Sequence, residues 1–288
     1  MDPSIFDNDQ VMENLLRAEE RYAVNSRLFT CVQGDLTPAM RKTVAQWMYE
    51  VCEEEQCRPE VYPLSMNCLD RFLSVMSIRK SQLQLTGTVC MLLASKFRQT
   101  KALSVERLCM YTEHSVTREE IMDWELLVIS KLKWDLSAII PNDFVDLLLH
   151  RLQLQRDFQS IRAIRSHTQI FITLCATEFE FSTSPPSMVA AAGIITAVSG
   201  LVKLTWNQKR ELLQRLNEIT SIEVDCLQDC QHRIEQLLAR SCPELMGNSA
   251  TASSASASGD YMAKVSSGTT NLETETPETP TDVQDVLF

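Results

Sequence analysis

Lys96 and Glu125 are the side chains whose chemistry the surrounding pattern does not account for. Lys96 sits near the end of LTGTVCMLLASKF, residues 85–97, a stretch with no other charge. Glu125 falls between Ile129 and Leu132 on the apolar face of a later helical segment, with Ile121 and Met122 on the same face. A buried charge costs on the order of several kcal/mol unless it is paired. Three arrangements satisfy that constraint. Lys96 can snorkel from a helix end while Glu125 lies at the edge of its stripe. The two can pair only with each other. Or they can form a seam where both hydrogen-bond backbone groups of a second protein. The pattern alone leaves all three open.

The other reactive side chains do not assemble. His114, His150, His167 and His232 are scattered, and Cys226, Cys230 and His232 lack the fourth ligand and the tighter spacing of a zinc site. Neither G-x-x-x-x-G-K-[ST] nor G-x-G-x-x-G is present, and no Ser/His/Asp arrangement is suggested by position. The expectation is a non-enzyme without metal or cofactor.

The elements that position these residues read as helices. Residues 85–97 carry apolar side chains all round a 3.6-residue wheel, which marks a helix surrounded by other helices. The stretch is too short to span a membrane. Gly87 and Ala94 allow close approach of its neighbours. Ahead of it, residues 9–22 form a short amphipathic helix with Met12, Leu15 and Leu16 on one face, expected to dock on the bundle. Thr37-Pro38 is an N-cap followed by Pro at the first helical position, opening a helix to about Cys57. Its apolar residues cover an arc of roughly 160°, wider than one packed stripe needs. Met40, Val44 and Trp47 on it are either core or the wall of a shallow apolar groove for a short peptide. Arg41 falls inside the arc and needs a partner if buried.

Further helices are expected over 60–76, 79–97 and 104–112. Thr117-x-x-Glu120 is a capping box opening a helix through Trp134. After a connector, a second set covers 142–153, 158–179, 185–201, 207–217 and 221–240. Thr205-x-x-Gln208 and Thr220-x-x-Glu223 read as capping boxes for its last two members. Five helices, a linker and five more, with the third the most apolar in each half, form a soft internal repeat. From Gly247 the composition changes: residues 247–288 hold fourteen Ser/Thr and few large apolar residues, the signature of a disordered tail. Thr276-Pro277 and Thr279-Pro280 lie there among acidic residues.

The fold class is therefore all-α. The expected domains are an N-terminal segment with a docking helix (1–36), two five-helix bundles (37–136 and 137–242) and a disordered tail (243–288). A net charge of -11 disfavours sequence-independent nucleic-acid binding. MDPSIFDNDQ has no basic region followed by an apolar run, so no signal peptide is expected. Ten cysteines without paired spacing suggest reduced thiols in cytosol or nucleus.

Taken together, these segments resemble a cyclin, and specifically a D-type cyclin. MRKTVAQWMYEVCEE is similar to the first helix of the cyclin box, and NCLDRFLS, KSQLQLTGTVCMLLASKF and DWELLVISKLKWDL to its later helices. FSTSPPSMVAAAGI and the ending TPTDVQDVLF are similar to D-type features. The resemblance covers about residues 10–240 and the end of the tail. It implies tandem cyclin boxes and a regulatory subunit that binds and activates cyclin-dependent kinases of the 4 and 6 class at the G1-to-S transition. The alternative is a scaffold of the same fold that binds a kinase or transcription protein without activating it.

The resemblance assigns roles by position. Lys96 and Glu125 match the charged pair that contacts the kinase beside its αC helix, with Phe97 among the apolar residues of that seam. Arg41 and Asp70 match an internal ion pair. Met40, Val44, Trp47, Glu50, Leu83 and Gln84 match the patch that receives short basic-hydrophobic motifs of substrates and Cip/Kip-type inhibitors. Thr279 matches the phosphorylated threonine that promotes nuclear export and ubiquitin-dependent turnover through ubiquitin ligase machinery. A nuclear and cytoplasmic location is implied. Partners are proteins only, with no nucleic acid and no membrane. Three departures stand out. Nothing in MDPSIFDNDQVMENLL matches the L-x-C-x-E motif, which puts direct docking of retinoblastoma-family substrates by that route in question. Thr43 and Val44 replace larger aliphatics in the patch. Arg-Gln-Thr follows Phe97 where many cyclins carry acidic residues.

Overall fold

Local capping sets where the helices begin. The Thr37 side chain accepts from Met40 N–H and starts α2 (Pro38–Glu54). Thr117 and Glu120 exchange hydrogen bonds across the first turn of α6 (Arg118–Lys131), and Thr205 and Gln208 do so for α11 (Trp206–Thr220). The computed structural model describes residues 6, 8–153, 158–202 and 204–241. The remaining helices are α1 (Asp9–Glu19), α3 (Val61–Val75), α4 (Leu83–Arg98), α5 (Val105–Tyr111), α7 (Pro141–Arg151), α8 (Phe158–Thr177), α9 (Phe179–Ser182), α10 (Pro186–Leu201) and α12 (Val224–Ser241). No strand occurs among the described residues.

Two cores form. The first gathers α2 to α6 around α4, which buries every residue from Leu85 to Ser95. Polar residues inside it are satisfied within the helix: Thr86 donates to the Gln82 carbonyl at 2.7 Å and Thr88 to that of Gln84 at 2.9 Å. Gly87 is where α2 comes closest. A Cβ there would meet Met48 Sδ at 2.9 Å and Val44 Cγ1 at 3.0 Å, so any larger residue would force those side chains to shift. The second core gathers α7 to α12 around α10.

Helix α1 docks on the second core, not the first, through buried Met12 and half-buried Leu15 and Leu16. Glu19 at its end reaches the start of α10. Its carboxylate accepts from Ser187 N–H at 2.8 Å and from the Ser187 hydroxyl at 2.7 Å. This is the favourable end of a helix dipole for an anion. Burial nevertheless pushes the Glu19 carboxyl above its usual range, against the pull of the two Ser187 bonds.

Several expectations are corrected, among them that α2 ends at Glu54 before reaching Cys57 and that α4 begins at Leu83 and not at residue 79. The helix from Thr117 stops at Lys131 and not Trp134, because Lys133 and Trp134 turn left-handed (φ 56° and 60°) and their N–H groups close back on Ser130 and Ile129. Thr220 and Glu223 do not cap α12 as a box. Thr220 ends α11 and donates to the Leu216 carbonyl at 2.7 Å, while Ser221 at φ 58° makes the turn. The segment expected as one helix over 158–179 breaks after Thr177 into the separate turn α9. Residues from 242 onward, including Thr279 and the expected tail, lie outside the described residues.

The two bundles are joined through buried polar bonds. Arg41 on α2 and Asp70 on α3 are each 1% exposed and form a two-pronged ion pair, Nε to Oδ1 at 2.8 Å and Nη2 to Oδ2 at 2.7 Å. The same guanidinium donates to the carbonyls of Thr177 at 2.6 Å and Ala176 at 3.0 Å, which end α8 of the second bundle. Ser182 Oγ completes the set, accepting from Arg41 at 3.0 Å and donating to Asp70 at 2.7 Å. Arg98 makes a second tie, gripping Asp143 at 2.8 and 2.9 Å and the Ala138 carbonyl at 3.2 Å.

Removing one member of a buried pair strands the other. Arg41→Ala is expected to lower unfolding free energy by about 3–5 kcal/mol. Denaturant titration of the purified chain measures this, and a loss below about 1 kcal/mol, the worth of an exposed pair, would contradict the tie.

Candidate functional site

Helix α4 runs out of the first core at its last turn, and its end is where the site lies. Ser95 is buried. Lys96 and Phe97, the next two residues, are exposed, with Phe97 48% accessible. Helix α6 packs alongside and brings Glu125 to Lys96. Their Nζ and Oε1 are 2.5 Å apart, with side-chain exposures of 45% and 19%. The charges are thus not sunk among apolar neighbours. In the free chain they satisfy each other at the edge of the bundle, one of the three arrangements open from the sequence.

The face around them is apolar. Ile121 and Val128 of α6 turn into the core, and Leu132 just beyond follows them. Met122, expected on the packed face, is 50% exposed, and Leu126 is 60% exposed. Ile129 is half-buried. Helix α6 therefore carries two apolar stripes, and the outer one (Met122, Leu126, Ile129) flanks Glu125, whose bridge to Lys96 sets it next to the end of α4 where Phe97 is exposed. Large apolar side chains left in water beside polar groups mark a protein-binding face. Leu126 was not singled out from the sequence, and Met122 was named only as part of the packed face. The available signal was the spread of apolar residues around both sides of that helix.

Lys96 can hold Glu125 with one N–H and still offer two more donors. The carboxylate likewise has acceptor sites to spare. A partner backbone that approaches here finds both a donor and an acceptor already fixed in place.

A second surface lies on α2 and the start of α4. Trp47, 9% exposed, and Leu83, 2% exposed, form its floor. Met40, Val44 and Gln84 are half-buried around them, and Glu50 is exposed at the rim. Val44 sits against Gly87, so the close approach of α2 and α4 sets how far its side chain stands out. Partial burial, with Glu53 nearby, pushes the Glu50 carboxyl up. All six residues matched from the sequence belong to these two adjoining elements. The arrangement offers apolar floor plus one acidic rim group, which suits a short segment with one basic and one or two apolar side chains.

Two positioning residues were not read as such from the sequence: Gln33 went unmarked, and Arg98 was noted only as a departure from the acidic residues of many cyclins. Gln33 is 4% exposed, and its amide donates to the carbonyls of Leu73 at 2.6 Å and Met76 at 2.7 Å while accepting from Ile78 N–H at 3.1 Å. It thereby ties the end of α3 and the chain leading to Leu83. Arg98 fixes the end of α4, as described above. Among the described residues no group of three or more His, Cys, Asp or Glu is placed to hold a metal ion. Cys226 is exposed and Cys230 buried, while His232 contacts Gln236 at 2.8 Å, so the three do not converge.

The family model "Cyclin, N-terminal domain" matches residues 10–137, and "Cyclin, C-terminal domain" matches residues 139–267. The G1/S-specific cyclin-D3 of Homo sapiens is 47% identical over 282 residues, covering 98% of this chain and 92% of that relative. The G1/S-specific cyclin-D2 of Xenopus laevis is 44% identical over 288 residues, covering 99% and 94%. Among solved structures, the viral cyclin from herpesvirus saimiri superposes with a TM-score of 0.72 at 24% identity, over 80% of this chain and 96% of the viral one. That last likeness concerns the fold.

The exposed position of the Lys96–Glu125 pair sets its energetic worth. Lys96→Gln is expected to change the unfolding free energy of the free chain by less than about 1 kcal/mol. A larger loss in a denaturant titration would mean the pair holds the fold together and is not spare for a partner.

Proposed function

The chain belongs to the cyclin family, among the D-type cyclins, and on that premise we propose that it binds and activates a cyclin-dependent kinase of the 4/6 class to promote the G1-to-S transition. The observation that carries this is the face formed by Phe97, Met122 and Leu126 around the Lys96–Glu125 pair. A kinase is active when the Lys of its β3 strand and the Glu of its αC helix are paired. A partner that packs apolar surface on αC only in that position shifts the population toward the active state by its differential affinity. Here Phe97, Met122 and Leu126 supply the apolar contact. Lys96 and Glu125 supply hydrogen bonds that set register. The chain itself contributes surface and no reacting group, so it acts as the non-catalytic subunit.

The α2–α4 patch is the second functional surface in this proposal. Met40, Val44, Trp47, Leu83 and Gln84 receive the apolar side chains of a short motif, and Glu50 its basic residue, on substrates of the kinase and on Cip/Kip-type inhibitors. Retinoblastoma-family proteins belong among those substrates. Without an L-x-C-x-E motif they are recruited through this patch or through the kinase, not by the N-terminal segment. Thr279-Pro280 in the acidic tail is a phosphorylation site in this scheme. Modification adds about -1.5 to -2 charge and marks the chain for export from the nucleus and ubiquitin-dependent removal. The chain then moves between nucleus and cytoplasm.

Reversing the charge at the seam tests the first part. Lys96→Glu faces Glu125 with a like charge and removes the donors. It is expected to abolish co-purification of a 4/6-class kinase from cells while circular dichroism remains that of the parent. Retention of the kinase by that variant would overturn the seam. For the tail, Thr279→Ala is expected to lengthen the cellular half-life in a cycloheximide chase and raise the nuclear fraction. An unchanged decay and distribution would remove Thr279 from the scheme.

A further inference from the structure

Helix α2 ends in a turn that places two thiols together. Gln56 adopts φ 50°, its N–H donates to the Glu53 carbonyl at 2.9 Å, and Cys57 N–H donates to the Cys52 carbonyl at 2.9 Å. This pair of bonds is the Schellman arrangement, in which the side chains at the two ends of the longer bond pack on one another. That contact is usually between apolar residues. Here both ends are cysteines. A disulfide needs close Cα and Cβ atoms, and this turn brings the two residues together by backbone bonds already made.

The surroundings differ for the two thiols. Cys52 is 6% exposed, with Sγ 3.9 Å from Met91 Sδ. Cys57 is half-buried, and both line an open cleft of ≈ 220 Å³ shared with Tyr49, Gln56, Arg58 and Pro59. A hydroperoxide can therefore reach Cys57. Its interaction with the Cys52 thiol is the largest effect on each: it holds Cys57 below the ordinary thiol range and, with burial, lifts Cys52 well above it. The fully buried thiols lack such help. Burial pushes Cys68 up to about 12 and Cys90 well above the usual value. Buried neutral thiols of that kind are inert.

We propose that Cys52 and Cys57 are a reversible dithiol–disulfide modification site, oxidised by a hydroperoxide such as hydrogen peroxide. The Cys57 thiolate attacks one peroxide oxygen. The S–O bond forms, the O–O bond breaks, and the departing hydroxide takes a proton to leave as water. Cys52 then loses its proton and its sulfur attacks Cys57 sulfur. The S–S bond forms, the S–O bond breaks, and the second oxygen leaves as water. Two thiols and one peroxide give one disulfide and two waters. A small thiol reductant reverses the bond by exchange. Arg58 N–H donates to Gln99 Oε1 at 3.2 Å, so the modified turn abuts the chain that leaves α4 just beyond Lys96 and Phe97.

The test uses the full chain, reduced, freed of reductant and exposed to hydrogen peroxide. Remaining thiols are then alkylated and the fragments mapped by mass spectrometry. The expected product is a fragment lighter by two hydrogens in which Cys52 and Cys57 are joined, restored to two alkylated thiols by dithiothreitol. With Cys52→Ala, Cys57 should instead accumulate as a sulfenic acid that reacts with dimedone. With Cys57→Ser, no bridge should involve Cys52. The proposal is overturned if exposed Cys31 and Cys226 oxidise while the pair stays alkylatable. It is also overturned if Cys57 goes to the sulfinic acid with Cys52 still free, or if the bridge maps to another pair.

Discussion

The guanidinium of Arg41 is the constraint on which the two-bundle arrangement rests. It is a large charge held at 1% exposure, and such a group is tolerated only when nearly all of its donors are used. The planar fork can meet a carboxylate with two parallel bonds and still turn N–H groups in other directions. Asp70 takes the first role. The carbonyls of Ala176 and Thr177, left without intrahelical partners at the end of α8, take the second. A cation at the negative end of a helix is also favourably placed. One side chain from α2 thus fixes α3 of its own bundle and the end of α8 in the other. A surface on the first bundle is thereby presented at a set angle to the second.

The residues proposed to meet a kinase share a different logic, that of a helix leaving its core. Helix α4 is buried on all sides from Leu85 to Ser95, and then Lys96 and Phe97 emerge together. Their geometry is inherited from the packed turns behind them, so little freedom is lost when a partner docks. Arg98 anchors the following turn to Asp143 and prevents fraying. The Lys96–Glu125 bridge keeps two long side chains ordered over an apolar face before any partner arrives. The second surface is built by close approach: Gly87 lets α2 settle onto α4, leaving half-buried Val44 beside the buried Trp47 and Leu83.

The all-helical architecture, the order of helices and several of their first residues were legible in the sequence because they rest on local rules. Thr37-Pro38, Thr117-x-x-Glu120 and Thr205-x-x-Gln208 cap helices where those spacings predict. Thr220-x-x-Glu223 has the same spacing and does not, since Ser221 turns left-handed between them and Thr220 is spent on the Leu216 carbonyl. The apolar run 85–97 identified the central helix of the first bundle. It also set Lys96 on an apolar surface and left open whether it snorkels, pairs with Glu125 or meets a partner, because the wheel cannot show where a helix outlasts the elements around it.

What the sequence determined by itself is the class of fold, the two bundles in series, the family and the positions that the family's motifs mark, since each follows from periodicity, capping or ordered motifs along the chain. What only the tertiary structure decided is which apolar face of α6 stays in water, that α1 docks on the second core, and that Arg41 answers to carbonyls more than a hundred residues away. Those outcomes depend on which surfaces meet. A helical wheel ranks faces by hydrophobicity, but two apolar stripes on one helix are equivalent until a neighbouring helix covers one of them.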